Sequence, residues 1–232
     1  MQLQEQAAKL LYHVKMGEPT EAQESALAAY DFQKLMQELN TDDLKKTFWI
    51  NIYNAYFQIL AVRCQVGKPD IYRKPLVQIA GQNFSLDDIE HGILRKYRYK
   101  PTLGFLPNPF AKRLIKQLAV NEIDCRIHFA LNCGAVSCPP IAFYNVEEIE
   151  AQLETATRSF LESETEIFPG QREIHVSRLM LWYLGDFGGF RGIRKILQDK
   201  LNINTRGQKI IFKHYDWTTQ LDHFSKVNAT AD

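Results

Sequence analysis

The stretch Cys125-Arg-Ile-His128-Phe-Ala-Leu-Asn132-Cys133-Gly-Ala-Val-Ser137-Cys138-Pro139-Pro140 decides how the chain is read. Its alternation predicts a strand over 126–132, with Ile127, Phe129 and Leu131 on one face and His128, Ala130 and Asn132 on the other. The strand runs into a turn at Cys133-Gly134, and a further thiol, Cys138, follows just ahead of two prolines. Three of the four cysteines fall within these residues. A thiol at the mouth of a rigid element is a common mount for chemistry, because loops carry function while regular structure holds position.

Outward from that stretch, bulk properties bound the answer. A chain of 232 residues that is 45% hydrophobic, 12% aromatic and 24% charged can bury a sizeable core. A net charge of +1 argues against an extended nucleic-acid footprint, so no nucleic-acid partner is expected. The basic block Arg95-Lys96-Tyr97-Arg98-Tyr99-Lys100 is read as a solvated helix end, favoured by the helix dipole, ahead of a binding surface. The N-terminus has neither a basic start nor an apolar run, and no signal peptide is expected. Two uncharged stretches, 47–62 and 127–146, are broken by amides, a histidine or prolines, so neither reads as a bilayer span. Four cysteines without a secretory signal are expected as free thiols, metal ligands or catalytic groups in a cytoplasmic protein.

Periodicity predicts a first helix on Leu3, Ala7, Leu10, Leu11 and Val14, stopped at Gly17. Thr20-x-x-Gln23 resembles a capping box opening a second helix that reaches residue 39. A long helix over 44–66 then has an apolar face and a stripe of Thr47, Asn51, Asn54 and Gln58 without charge. Such a helix is buried nearly all round, and its amides need partners. Either they tie down neighbouring loops or one of them, Asn54 foremost, reaches a polar cavity. Ser85-x-x-Asp88 caps a helix to residue 97 in which Glu90 lies within the apolar arc and His91 just outside it. A buried carboxylate requires a partner, so Glu90 either anchors the fold or orients a catalytic histidine. Further helices follow over 108–120, after Asn145-x-x-Glu148, at Ser177 and around Ile193 and Leu201. A hairpin is expected through Ile167 and Ile174, and a last strand over 209–215. The fold class is α+β, a helix-rich single domain with a small mixed or antiparallel sheet. Residues 1–40 form an N-terminal helical extension, 41–224 the core and 225–232 a flexible tail.

Four chemistries compete at the thiols. Cys125, His128, Cys133 and Cys138 have the spacing of a small zinc site, but on a straight strand His128 and Cys133 stand roughly 16 Å apart, too far for one ion. Cys133 and Cys138 are separated by four residues, more than the two of a thioredoxin-type motif, and a turn between them would bring them within range of a reversible disulfide. A third reading makes both small buried hydrophobes — an inert use of the thiol. Nucleophilic catalysis needs a base, a group to orient it and donors for an oxyanion. Cys133, next to Gly134, is the stronger nucleophile, with His128 or His91 as base and Glu90 as orienter.

The segments Phe48-Trp-Ile-Asn-Ile-Tyr-Asn-Ala55, Ser85-Leu-Asp-Asp-Ile-Glu-His-Gly-Ile-Leu-Arg95, 126–139 and Tyr215-Asp-Trp217 resemble the family of domain of unknown function 547. Trp182-Tyr-Leu-Gly-Asp-Phe187 matches more loosely, and Cys125 stands where that family usually has proline. The resemblance implies a cysteine-protease-like arrangement in which Glu90, His128 or His91, and Cys133 act together. The expectation is a cysteine-dependent hydrolase or acyl transferase without metal or cofactor, taking a small-molecule or peptide-like substrate. Asn54, Asn132, Gly134, Ser137 and Cys138 would line the substrate site. The alternative is a thiol-bearing module that binds such a ligand without turning it over.

Overall fold

Residues 3–225 are described by a computed structural model. The expected tail over 225–232 lies outside them, apart from Ser225. Four helices lead the chain: α1 (Leu3–Met16), α2 (Glu21–Ala28), α3 (Phe32–Glu38) and α4 (Asp42–Gln58). Leu3, Ala7, Leu10 and Leu11 of α1 are fully buried in the same core as Phe48, Trp49 and Ile52 of α4. Each buried Leu, Ile or Phe among them contributes about 1.5–3 kcal/mol by leaving water.

The expected second helix is two. Thr20 has helical dihedrals and makes no cap hydrogen bond; its hydroxyl donates to Glu24 at 2.6 Å instead. The chain breaks after Ala28, and Asp31 restarts it by accepting from the Lys34 amide at 2.7 Å. Thr41, in extended geometry, caps α4 by accepting from the Leu44 amide, with Asp42 and Asp43 in the positive first turn. From Lys45 to Gln58 every residue of α4 is buried, and the helix widens into a π-helical turn, Ile59–Arg63.

A short helix α5 (Asp70–Arg73) precedes the hairpin of β1 (Val77–Ile79) and β2 (Gln82–Phe84). Ser85 and Asp88 cap each other reciprocally, the Asp88 amide donating to Ser85 Oγ at 2.9 Å and the Ser85 amide to Asp88 Oδ2 at 3.1 Å. The element that follows is a π-helical turn, Asp88–Leu94, and it stops short of residue 97. Helix α6 is confined to Arg113–Leu118. After α7 (Ile149–Glu164), β3 (Glu166–Phe168) and β4 (Glu173–Val176) pair antiparallel. The last strand, β5 (Lys209–Phe212), adds parallel to β4 after the crossover through α8 (Leu179–Trp182) and α9 (Gly189–Leu201). The architecture is helix-rich α+β with one sheet of two strands and one of three.

The largest correction falls on the opening stretch. Cys125–Phe129 is a 3-10 helix, begun by Asp124, which accepts from the Arg126 amide at 3.0 Å. The alternation that resembled a strand arises because both sides are covered: Ile127, His128, Phe129 and Ala130 are all buried. Ile127, Ala130 and Leu131 belong to the core built on α1 and α4, whereas Phe129, Ala135 and Cys138 belong to the core over the three-stranded sheet. Cys133 packs against both cores. The thiol segment is thus the seam between the halves of the molecule. Among the described residues no helix is long and apolar enough to cross a membrane.

Candidate functional site

Two side chains of α4 build the thiol turn from beneath. Asn54 Nδ2 donates to the Ala130 carbonyl at 2.9 Å, and its Oδ1 accepts from the Asn132 amide at 3.0 Å. Asn51 serves Tyr144 in the same way, by 2.8 and 3.2 Å bonds. The polar stripe therefore ties down backbone, and Asn54 reaches the site by holding the residues just ahead of Cys133. Asn132 continues the scaffold, donating to the Pro139 carbonyl at 2.8 Å and accepting from the Gly134 amide at 2.8 Å. Gly134 has φ +68°, and a Cβ there would stand 2.6 Å from the Phe57 ring, so only glycine fits without strain. Ser137 Oγ accepts from the Asp216 amide at 2.9 Å. Asn54, Asn132, Gly134 and Ser137, expected to line a substrate site, are brought together as builders of this turn. The Gly134 amide, next to Cys133, already has its partner in Asn132 Oδ1.

Cys133 and Cys138 are joined as a disulfide, with Cα atoms 6.1 Å apart. The Cys133 amide points at Cys138 Sγ at 3.1 Å. The Tyr215 hydroxyl reaches both sulfurs, at 3.1 Å from Cys138 Sγ and 3.4 Å from Cys133 Sγ. Burial raises the Tyr215 pKa, which keeps it a phenol able to donate. The other cysteines lie apart: Cys64 is exposed, and burial pushes the Cys125 thiol up to about 12.

Below the disulfide is a small cavity of about 40 Å³, and Glu90, His128, Cys133, Cys138, Tyr183 and Tyr215 share its lining. A straight strand would have held His128 away from Cys133; the helical turn shortens that path and lets both reach one cavity. The His128 ring is stacked on Tyr183, with centroids 3.8 Å apart and planes 10° from parallel. Its Nε2 donates to Asp186 Oδ2 at 2.9 Å. Burial lowers the His128 pKa, partly opposed by Asp186, so the ring is neutral at neutral pH, with its proton on Nε2 and its lone pair on Nδ1.

Asp186, not Glu90, is therefore the carboxylate on His128. Its side chain is inaccessible to solvent and also takes Arg95, whose Nε and Nη2 donate at 2.5 and 3.1 Å. Burial raises the Asp186 pKa, but the hydrogen bonds from His128 and Arg95 outweigh it and hold the group ionised. Gly104 covers this pair at φ +84°, where a Cβ would stand 2.6 Å from Arg95 Nη2.

Glu90 has a different shell. It accepts from the Tyr183 hydroxyl at 2.6 Å and from the Tyr53 hydroxyl at 3.2 Å. Burial pushes its pKa up, yet His91, the Tyr183 hydroxyl and Arg95 bring it down to about 2. His91 Nδ1 lies 3.8 Å from Glu90 and accepts from Arg95 Nη1 at 2.5 Å. Burial lowers the His91 pKa to about 3, so its contact with Glu90 is not an ion pair at neutral pH. Its nitrogens are directed at Arg95 and Asp87 (3.5 Å), and His91 does not line the cavity.

Asp186, Tyr183, Arg95, Tyr53 and Tyr215 were missed as site residues. Trp182–Phe187 and Tyr215–Trp217 did stand out as matching segments, and that was the available signal. Among the described residues no group of three or more His, Cys, Asp or Glu side chains is arranged to hold a metal.

No curated protein and no solved structure matches the chain. The sequence profile of the family described as "Protein of unknown function, DUF547" matches residues 36–161. That stretch carries Asn54, Glu90, His128 and the disulfide, while Tyr183, Asp186 and Tyr215 lie beyond it. It spans more than half of the 232 residues, and the chain belongs to the DUF547 family.

Proposed function

We propose that this protein is a cysteine-dependent hydrolase or acyl transferase acting on an amide or peptide-like substrate, with Cys133 as nucleophile. The observation that carries the reading is the order Asp186–His128 at 2.9 Å, with His128 and Cys133 lining one cavity. Opening of the Cys133–Cys138 disulfide by a dithiol frees the nucleophile. His128 Nδ1 then accepts the Cys133 proton, and the thiolate attacks the carbonyl carbon. The same nitrogen returns the proton to the leaving amine, and water or another acceptor releases the acyl group. Asp186 holds the ring by Nε2–H and stabilises it when charged, the part first expected of Glu90. Tyr215 is placed to donate to the thiolate or to the developing oxyanion.

The cavity of about 40 Å³ admits only a small group, so the acyl portion enters while the remainder of the substrate stays outside. The same narrowness and the closed disulfide favour the second reading, a binding module that uses the thiol pair without turnover.

Reduced protein incubated with activated acyl donors, thioesters and p-nitrophenyl esters among them, distinguishes the two. Mapping of adducts by mass spectrometry should find acyl groups on Cys133 ahead of exposed Cys64, with none at position 133 after Cys133→Ser. Equal acylation of Cys64 and Cys133, or turnover undiminished in Cys133→Ser, would contradict a cysteine nucleophile.

A further inference from the structure

The chain is nearly neutral, but its charge is not evenly spread. From 91 to 121 there is no Asp or Glu, while Arg95, Lys96, Arg98, Lys100, Lys112, Arg113 and Lys116 all fall there. Arg95 is buried on Asp186, Lys100 is taken by Asp87 at 2.6 Å, and Lys112 lies 3.7 Å from Asp88. Lys96, Arg98, Arg113 and Lys116 have no carboxylate partner among the described residues. The same segment projects apolar side chains. Tyr99 and Leu106 are joined by a 2.9 Å backbone bond and Asn108 and Tyr97 by one of 2.6 Å, which pinches off the loop 100–106. Leu106 is 59% exposed and Phe110 82%, with Leu103 and Phe105 also in solvent. Arg98, Lys100, Phe110 and Lys112 line one groove of about 390 Å³. A basic block that reads in sequence as a solvated helix end is therefore the collar of an apolar tip.

We propose that the loop over 96–116 is a docking surface for an anionic lipid bilayer, with Leu103, Phe105, Leu106 and Phe110 entering the interface and the Lys and Arg side chains that lack a carboxylate partner facing the head groups. The apolar side chains of the tip choose lipid over nucleic acid. Leucine has no aromatic face on which a base stacks, whereas hydrocarbon and bulky rings backed by cations are what an interface takes up. Pro107 and Pro109 hold the tip, so little ordering is required on docking. The tip adjoins the Arg95–Asp186 pair through Gly104, but lipid docking does not depend on the cysteine chemistry.

Sedimentation of the full chain with vesicles tests this. Binding should be strong with phosphatidylcholine vesicles containing about 30% phosphatidylserine, weak with phosphatidylcholine alone, and reduced by salt. Each Lys or Arg near the surface contributes about fivefold to such binding, so Arg113→Glu with Lys116→Glu should weaken it at least about tenfold. Leu106→Ser with Phe110→Ser should weaken it as well, with the melting temperature unchanged because both side chains are exposed. Equal affinity for the two vesicles, absence of binding to either, or binding that ignores both pairs of substitutions would overturn the proposal. So would capture of a single-stranded oligonucleotide through the same residues in place of vesicles.

Discussion

Glu90 and Asp186 are both buried carboxylates, both ionised and both within reach of the Tyr183–His128 stack, yet their surroundings differ in kind. Glu90 is held by two neutral hydroxyls, from Tyr53 and Tyr183. Asp186 is held by a guanidinium and an imidazole. A neutral donor can be kept when its acceptor loses charge, whereas a buried guanidinium cannot. The difference teaches that burial alone does not identify the acid of a site; the donor facing it does.

The comparison can be broken by substitution. Asp186→Ala leaves Arg95 charged, buried and unpaired, which typically costs about 3–5 kcal/mol. Urea unfolding of that variant should show the largest loss of stability among these changes. Glu90→Gln keeps an acceptor for Tyr183 and should cost about 1–3 kcal/mol. The reverse order would mean that Glu90, not Asp186, carries the buried charge the fold depends on. Tyr183→Phe keeps the ring on His128 and removes one donor from Glu90, and its cost should be the smallest of the three, at about 1–1.5 kcal/mol.

Acid sharpens the same contrast. His91 titrates near 6.5 when unfolded and at about 3 when folded. Between those values the unfolded chain binds the extra proton, so stability complete above pH 6.5 is lost as pH falls toward 3, by at most about 1.4 kcal/mol per pH unit. His128, also lowered by burial, adds to the loss with the same sign. Glu90 contributes only below its unfolded value of 4.5, down to about 2. Urea midpoints compared at about pH 7 and about pH 5 should therefore fall in wild type and fall less in His91→Asn. An equal fall in both would remove His91 from the account.

Much of the fold was legible because local rules and burial agreed. The uncharged stretch 47–62 announced a helix buried on all sides, and α4 is that helix. The reciprocal cap of Ser85 and Asp88 formed as read. Glu90 could be found because a helical arc places it among apolar neighbours. The segment 125–132 was misread because it is covered on both sides, and a short 3-10 helix without an exposed face has no period to betray it. Asp186, inside the loosely matching segment Trp182–Phe187, was not singled out, for another reason. It lies on a turn with no periodicity, and its partners, Arg95 and His128, are distant in sequence. The amide stripe of α4 was found, but whether Asn54 faced a cavity or a backbone was a question of tertiary contact, and it faces backbone.

The central claim is that His128, oriented by Asp186, activates Cys133. Its most direct test is the pH dependence of alkylation of reduced protein by iodoacetamide, read at Cys133 by mass spectrometry with exposed Cys64 as the internal reference. Cys133 should show an apparent pKa below the free-thiol value of about 8.5, raised in His128→Ala and in Asp186→Asn but not in His91→Asn. A Cys133 that titrates at about 8.5 in wild type, or that responds to His91→Asn and not to His128→Ala, would contradict it.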